Sequence, residues 1–443
     1  MASSLNSYPK VLVVMTAPFN NGGSSRTLDF YFHFWDKKCV AQVYSRNCEP
    51  TKGHCSTFFQ ITDERLVGRW LGRKGSVGKI YNDGDLAESD ELKDEFAGFA
   101  SKLGYSIGVK HTPFIELLRG LLWRKRFWCT PAFVKWLDEF KPDCVLYNFS
   151  NHLFTQEIAL FVAERFGIPI IPVIGDDYYF NERQSISPAY HLFRTRFKKL
   201  TDRIMAHSVN AVYCSDKCMR KYGDCFGLGG SPIYISSSLS RRAFRPIKKH
   251  APVFLYCGSV RLGRNLALVE IADALRAINP EYTLLVYSSE TDKGVCAPLI
   301  EHPSIDFGGR VGYETVAEMI AACDIFVIAE GFREKDLLFT RYSLSTKAAD
   351  GLASGSAVLT YGPGEAGVVE YMKQSGGSVV CSDKGELAHK IELLVDDDQL
   401  QRNLYDNAIK ATEKNHSIDI STATFESVVD EALSTYSERG AEC

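Results

Sequence analysis

The sequence has 443 residues and no run of about 18 apolar ones, so no stretch is long enough to cross a bilayer as a helix. Its opening, MASSLNSYPK, lacks the apolar core of a secretory signal. An excess of one charge is also missing. The 51 Lys and Arg residues against 54 Asp and Glu leave a net charge of -3, whereas a dedicated nucleic-acid binder is usually strongly basic. Thirteen cysteines are scattered without a paired C-x2-C spacing, so a zinc site is not expected. The tightest group is Cys214, Cys218 and Cys225. Cys144 and Cys257 sit within apolar strands, where a thiol reads as a small hydrophobe. Their odd number and scatter fit a reducing, cytoplasmic setting. No short repeat is present. The loop NNGGSSR lacks the G-x-G-x-x-G spacing that a dinucleotide-binding dehydrogenase places after its first strand.

What is present is an ordinary globular balance, 45% hydrophobic and 24% charged, in a chain long enough for two domains of roughly 200 residues. KVLVVMTAP predicts a first strand, followed by a glycine loop, a helix from about residue 25 to 36 and the strand CVAQVYS. Residues 62–110 are polar and irregular. From residue 140 strand and helix alternate again, through DCVLYN, FTQEIALFVAERFG, IPIIPVIGDD and NAVYCSDKCMRKYG. A second alternating half restarts near Ala251, with residues 236–250 as the natural linker. The pattern predicts an α/β protein of two Rossmann-like domains, residues 1–240 and 241–425, with a tail, 426–443, packing back toward the first.

Ligands of open parallel sheets bind beyond the carboxyl ends of the strands. Three such ends in the second half carry suitable groups. In GSVRLGRN, Gly258 permits a close backbone approach, and Arg261 and Arg264 can pair with phosphate oxygens. Two solvated loop arginines explain the same residues equally well. Glu330, leaving the strand DIFVIA, can accept bonds from sugar hydroxyls or simply face water. In RYSLSTKAADGLASG a helix is expected to start near Thr346. Its free N–H groups, the hydroxyls of Ser345 and Thr346, and Lys347 together form an anion site. An ordinary N-cap explains one hydroxyl but not the cluster. Three such loops on one sheet favour a phosphorylated, hydroxyl-rich ligand, most economically a nucleotide sugar.

From residue 252 to 372 the segments LYCGSVRLGRNLALVEIADAL, FGGRVGYETVAEMIAACDIFVIAEGF and RYSLSTKAADGLASGSAVLTYGPGEAGVVEYM resemble retaining glycosyltransferases of the GT-B fold. The nearest branch is the family 4-like, polysaccharide-type one with an S-T-K-x-x-(D/E)-x-x-A-S-G segment. The resemblance implies two Rossmann-like domains facing each other across a cleft. It implies transfer of a sugar from a nucleoside diphosphate sugar to a glycan or lipid-linked acceptor of surface polysaccharide synthesis, without a metal or other cofactor. Arg261, Arg264 and Lys347 would then grip the diphosphate and Glu330 the donor sugar. Ser345 and Thr346 would line the diphosphate, Asp350 would contact the ribose, and Arg310 and Val311 would lie near the base. Asp350 stands where the family usually has Glu, and residues 333–340 widen the spacing to Glu330. Gly22 and Gly23 would face the donor phosphate or acceptor, although a plain strand–helix turn explains them as well. The leaving phosphate would accept the acceptor's proton.

On the acceptor side, His152, Asp176 and Asp177 lie near strand ends of the first half, where a structural role competes with acceptor contact. FIELLRGLLWRKRFW, residues 114–128, mixes Arg119, Arg124, Lys125 and Arg126 with Leu, Trp and Phe. It reads either as a peripheral membrane contact on the inner membrane face or as a core helix with a charged face. Two other functions fit the same pattern, a GT-B-fold nucleotide-sugar epimerase and a non-catalytic partner subunit.

Overall fold

A computed structural model describes residues 8–18, 26–73, 75–86, 113–182 and 184–441. The chain divides into two compact units. The first comprises Met1–Pro232 and Thr422–Cys443, the second Ile233–Ser421. The second unit thus starts before the expected linker, and residues 233–250 belong to it.

In the first unit the strands are β1 (Val11–Val14), β2 (Val40–Tyr44), β3 (Thr57–Ile61), β4 (Gly78–Asn82), β5 (Cys144–Asn148), β6 (Ile170–Ile174), β7 (Asn210–Tyr213) and β8 (Gly229–Pro232). They form one sheet in the order β4-β3-β2-β1-β5-β6-β7-β8. All neighbours are parallel except β4, which runs antiparallel to β3. The central strands are largely apolar because helices cover both faces of such a sheet; every residue of β1, β2 and β6 is buried, including the one polar residue among them, Gln42.

The second unit holds β9 (Phe254–Cys257), β10 (Leu284–Tyr287), β11 (Ile305–Gly309), β12 (Ile325–Ala329), β13 (Ala357–Tyr361) and β14 (Val379–Cys381). Their order is β11-β10-β9-β12-β13-β14, parallel throughout. The order reverses between β9 and β12, and this switch point is where an open parallel sheet accepts a ligand. Two buried clusters fill the unit. One gathers Phe254, Leu268, Ile271, Val327 and Leu359, the other Leu255, Phe326, Ile328, Leu352 and Met372.

Several expectations need correction. The helix expected at 25–36 spans only Arg26–Tyr31, because the chain turns before a short 3-10 helix at Lys37–Cys39. The region read as irregular contains the helix Asp63–Trp70 and the strand β4. Thr62 caps that helix by accepting from the Arg65 N–H at 3.4 Å. The expected helix start at Thr346 is observed: the helix Lys347–Ser354 ends at Gly355, whose φ of 83° only glycine adopts readily.

Candidate functional site

The site is built at the carboxyl ends of β9 and β12. After β9 the chain turns through Leu262 and Gly263, with φ of 57° and 75°, into the helix Arg264–Ile278. This places the Arg264 side chain against Glu330, the first residue after β12. Arg264 Nε donates to Glu330 Oε2 at 2.9 Å, and Nη2 lies 3.0 Å from Oε1 and 2.8 Å from Oε2. The side chains are 13% and 1% exposed, so the pair is almost fully desolvated. The loops meet closely: a β-carbon on Gly331 would lie 2.2 Å from the Leu262 carbonyl oxygen.

Lys347 joins from the helix that follows the Ser-rich loop. Its ammonium lies 5.3 Å from the Tyr256 ring centre and 3.5 Å from the Ser345 hydroxyl. Although the residue keeps some exposed surface, its ammonium is packed over Gly258, and a β-carbon there would stand 3.0 Å from it. Burial, and then the nearby Arg264 guanidinium, pull the lysine pKa down to about 8 against the attraction of Glu330. Burial alone would lower Arg264 too, but Glu330, Tyr256 and Asp336 outweigh it and hold that guanidinium above its usual range. At the Lys347 ammonium, burial and Arg264 together outweigh the attraction of Glu330 and Asp350, so an added anion there would stabilise the charged lysine.

Arg264, Glu330, Lys347, Gly258 and Ser345 are thus brought together. Thr346 is exposed beside them and its hydroxyl makes no capping bond. Arg261 turns outward, 57% exposed, onto Glu290, whose Oε1 accepts from Nη2 at 2.8 Å. Asp350 accepts from the Ser237 hydroxyl at 2.7 Å, from a segment that lies 113 residues earlier. Arg310 is exposed and Val311 half-buried just after β11. Gly22 and Gly23 lie outside the described residues. Sequence reasoning missed three participants: Tyr256 beneath the lysine, Ser237 on Asp350, and the left-handed turn at Leu262. Only Leu-Gly before a helix hinted at the last.

In the first unit, His152 Nδ1 lies 3.2 Å from Glu116 Oε2 and 3.3 Å from Arg119 Nη1. Asp177 is buried, accepting from Tyr222 Oη at 2.6 Å and the Phe180 N–H at 2.9 Å, and burial raises its pKa. Those bonds, with Arg194 donating to the Tyr178 and Tyr179 carbonyls, fix the loop after β6. Asp176 is exposed and accepts from Tyr178 Oη at 3.3 Å. In the stretch 114–128, Trp123 and Trp128 are buried, and Arg119 pairs with Asp63 at 3.0 Å. Among the described residues no group of three or more His, Cys, Asp and Glu side chains is placed to hold a metal. No helix among them is long and apolar enough to cross a membrane.

Sucrose-phosphate synthase from Thermosynechococcus elongatus superposes on this architecture with a TM-score of 0.58 at 11% identity, covering 96% of this chain and 99% of that one. The fold is GT-B. HepE from Anabaena, solved with UDP and glucose, gives 0.59 at 12% identity, covering 96% of this chain and 100% of that one. WaaG, a glycosyltransferase involved in lipopolysaccharide biosynthesis, gives 0.51 at 12%, covering 94% and 99%. No family model and no curated protein sequence matches the chain. The GT-B fold accounts for the two largely parallel sheets, and Arg264 and Glu330 meet at the switch point of the second.

Proposed function

We propose that the chain transfers a sugar from a nucleoside diphosphate sugar to a hydroxyl acceptor, with retention of anomeric configuration. The observation that carries this reading is the convergence of Arg264, Glu330 and Lys347 beside the start of the helix Lys347–Ser354. Cationic side chains, free N–H groups and the helix dipole suit a diphosphate. HepE, which shares the fold, has been solved with UDP-glucose. UDP is therefore the first nucleotide to test.

In the proposed reaction the bond from the anomeric carbon to the diphosphate oxygen breaks, and its electron pair stays on the phosphate. The acceptor oxygen forms the new bond on the same face, and its proton passes to the departing phosphate oxygen. Charge grows on the diphosphate as it leaves. Arg264, Lys347 and the helix start meet that charge, with Ser345 and Thr346 as hydroxyl donors and Arg261 as the outermost cation. Asp350 is proposed to face the ribose, and Arg310 and Val311 the base.

The acceptor is proposed to be a glycan or lipid-linked intermediate of surface polysaccharide synthesis, reached at an anionic membrane face. An exposed apolar surface supports this. Phe114, Leu118 and Leu121 recur at helical spacing on one face of the helix Pro113–Leu122 and are all exposed, Phe114 by 61%. The neighbouring helix Asp63–Trp70 adds Val67 and Trp70, with Leu71 following. Arg69, Arg73, Arg124, Lys125 and Arg126 are exposed nearby in the chain and complement acidic headgroups. Contact therefore rests on this two-helix surface, not on the buried Trp123 and Trp128.

A thermal-shift panel of UDP, GDP, ADP and CMP with their sugars tests the donor reading. One diphosphate at 100 times its Kd is expected to stabilise by about 2.7 kcal/mol. No response to any nucleotide would sink it.

A further inference from the structure

We infer that Glu330 is a positioning residue that holds Arg264 and offsets positive charge in the diphosphate site, and that it does not bind a hydroxyl of the donor sugar. This rests on the donor-site reading above. Both Glu330 carboxylate oxygens are taken by Arg264, at 2.8 to 3.0 Å, and 1% of the side chain is exposed. Its backbone is pinned as well: the N–H donates to the Tyr361 carbonyl at 2.9 Å, and a β-carbon on Gly362 would stand 2.9 Å from the Glu330 Cβ. Turning this carboxylate toward a sugar would strip a desolvated guanidinium of its counterion, which is among the costlier changes a protein interior can undergo.

The pair also orients Arg264. The guanidinium spends Nε and Nη2 on Glu330, which leaves Nη1 without a partner among the described residues. Nη1 is therefore the edge offered to a phosphate oxygen. The groups facing the Lys347 ammonium are Arg264, Glu330, the Cys257 thiol, Asp350, the Ser345 hydroxyl and the Tyr256 ring. Arg264 disfavours the charged lysine and Glu330 favours it. With Glu330 neutralised, the two cations would lose the stronger of the carboxylates that offset their repulsion, leaving Asp350, and Lys347 would lose its proton at lower pH.

The test is calorimetric titration of UDP, GDP and ADP, and of UDP-glucose, into wild type and Glu330→Gln between pH 6.5 and 9.5. A positioning role predicts that Glu330→Gln weakens the sugar-free diphosphate by about tenfold. It also predicts that binding fails at lower pH than in wild type, and that Glu330→Asp restores part of the affinity. Full affinity for UDP, with weakening confined to UDP-glucose, would mean that Glu330 serves the sugar and would overturn the inference. Should Glu330→Gln not fold, the Arg264 Nε–H resonance of the wild-type protein, assigned with Arg264→Lys, decides. Its persistence in slow exchange after UDP-glucose is added supports the inference, and its loss overturns it. Wild type that binds no nucleotide removes the donor-site reading and this inference together. Binding to wild type with an unchanged Glu330→Gln removes this inference alone.

Discussion

A β-carbon on Gly258 would stand 3.0 Å from the ammonium of Lys347, two residues 89 positions apart in the chain (347 − 258). Gly258 has a φ of 144°, which side-chain-bearing residues rarely adopt. Gly258→Ala therefore adds backbone strain of about 1–3 kcal/mol and crowds the lysine at once. The expected result is a lower melting temperature and loss of UDP-induced stabilisation. Unchanged nucleotide binding would separate this glycine from the site.

Lys347 links stability to pH. Its folded pKa, about 8, lies below the ordinary 10.5, so the folded state releases the proton first. Below pH 8 both states are protonated and the full cost of the packed charge is present. The cost is relieved as pH rises from 8 toward 10.5. Lys347→Met should stabilise the free protein at pH 7 and remove the rise in stability between pH 8 and 10.5. A bound diphosphate should raise this pKa, so wild-type affinity should fall above pH 8, and Lys347→Met should abolish that fall. Urea melts and titrations across this range check both signs.

Arg264→Ala leaves Glu330 buried without a counterion and should destabilise by about 3–5 kcal/mol. Replacing both residues by apolar ones of similar size should cost much less, which makes the double variant the control for folding. For turnover, losing Arg264 or Lys347 should cost about 2–4 kcal/mol of barrier, by analogy with oxyanion-hole deletions. Arg261→Ala, whose side chain is 57% exposed in its pair with Glu290, should change stability by only about 1 kcal/mol and slow turnover far less than Arg264→Ala. Equal losses from the two arginine variants would contradict that ranking.

The exposed helices predict reversible binding to vesicles containing anionic lipid, weakened by salt. Trp70→Asp combined with Leu118→Asp should abolish sedimentation with such vesicles while leaving the melting temperature within a few degrees, because both side chains are exposed. Equal binding to neutral vesicles, or undiminished binding by the double variant, would remove this surface from consideration.

The second unit was largely legible in the chain because its central strands β9, β12 and β13, buried on both faces, read as short apolar runs between amphipathic helices. The helix start at Lys347 was legible from a run of hydroxyls and a terminal glycine. The helix Asp63–Trp70 and strand β4 were not, since partly exposed elements at a sheet edge carry polar residues that mimic a loop. The helix Glu334–Thr340 escaped notice because it is a short insertion, with Arg333 pairing to Asp336 at 2.6 Å.

Local pattern by itself determined the class of fold, the strand ends at which charged residues gather, and the segment that begins the helix Lys347–Ser354. Those properties follow from periodicity and capping, which act over a few residues. The pairing of the charges was decided only by tertiary structure. Arg264 and Glu330 lie 66 residues apart and meet because β9 and β12 are neighbours at the switch point of the sheet. Arg261, three residues from Arg264, points outward to Glu290 instead. Spacing along a chain cannot distinguish these outcomes, because the direction of a side chain after a left-handed turn depends on what the fold has packed beside it.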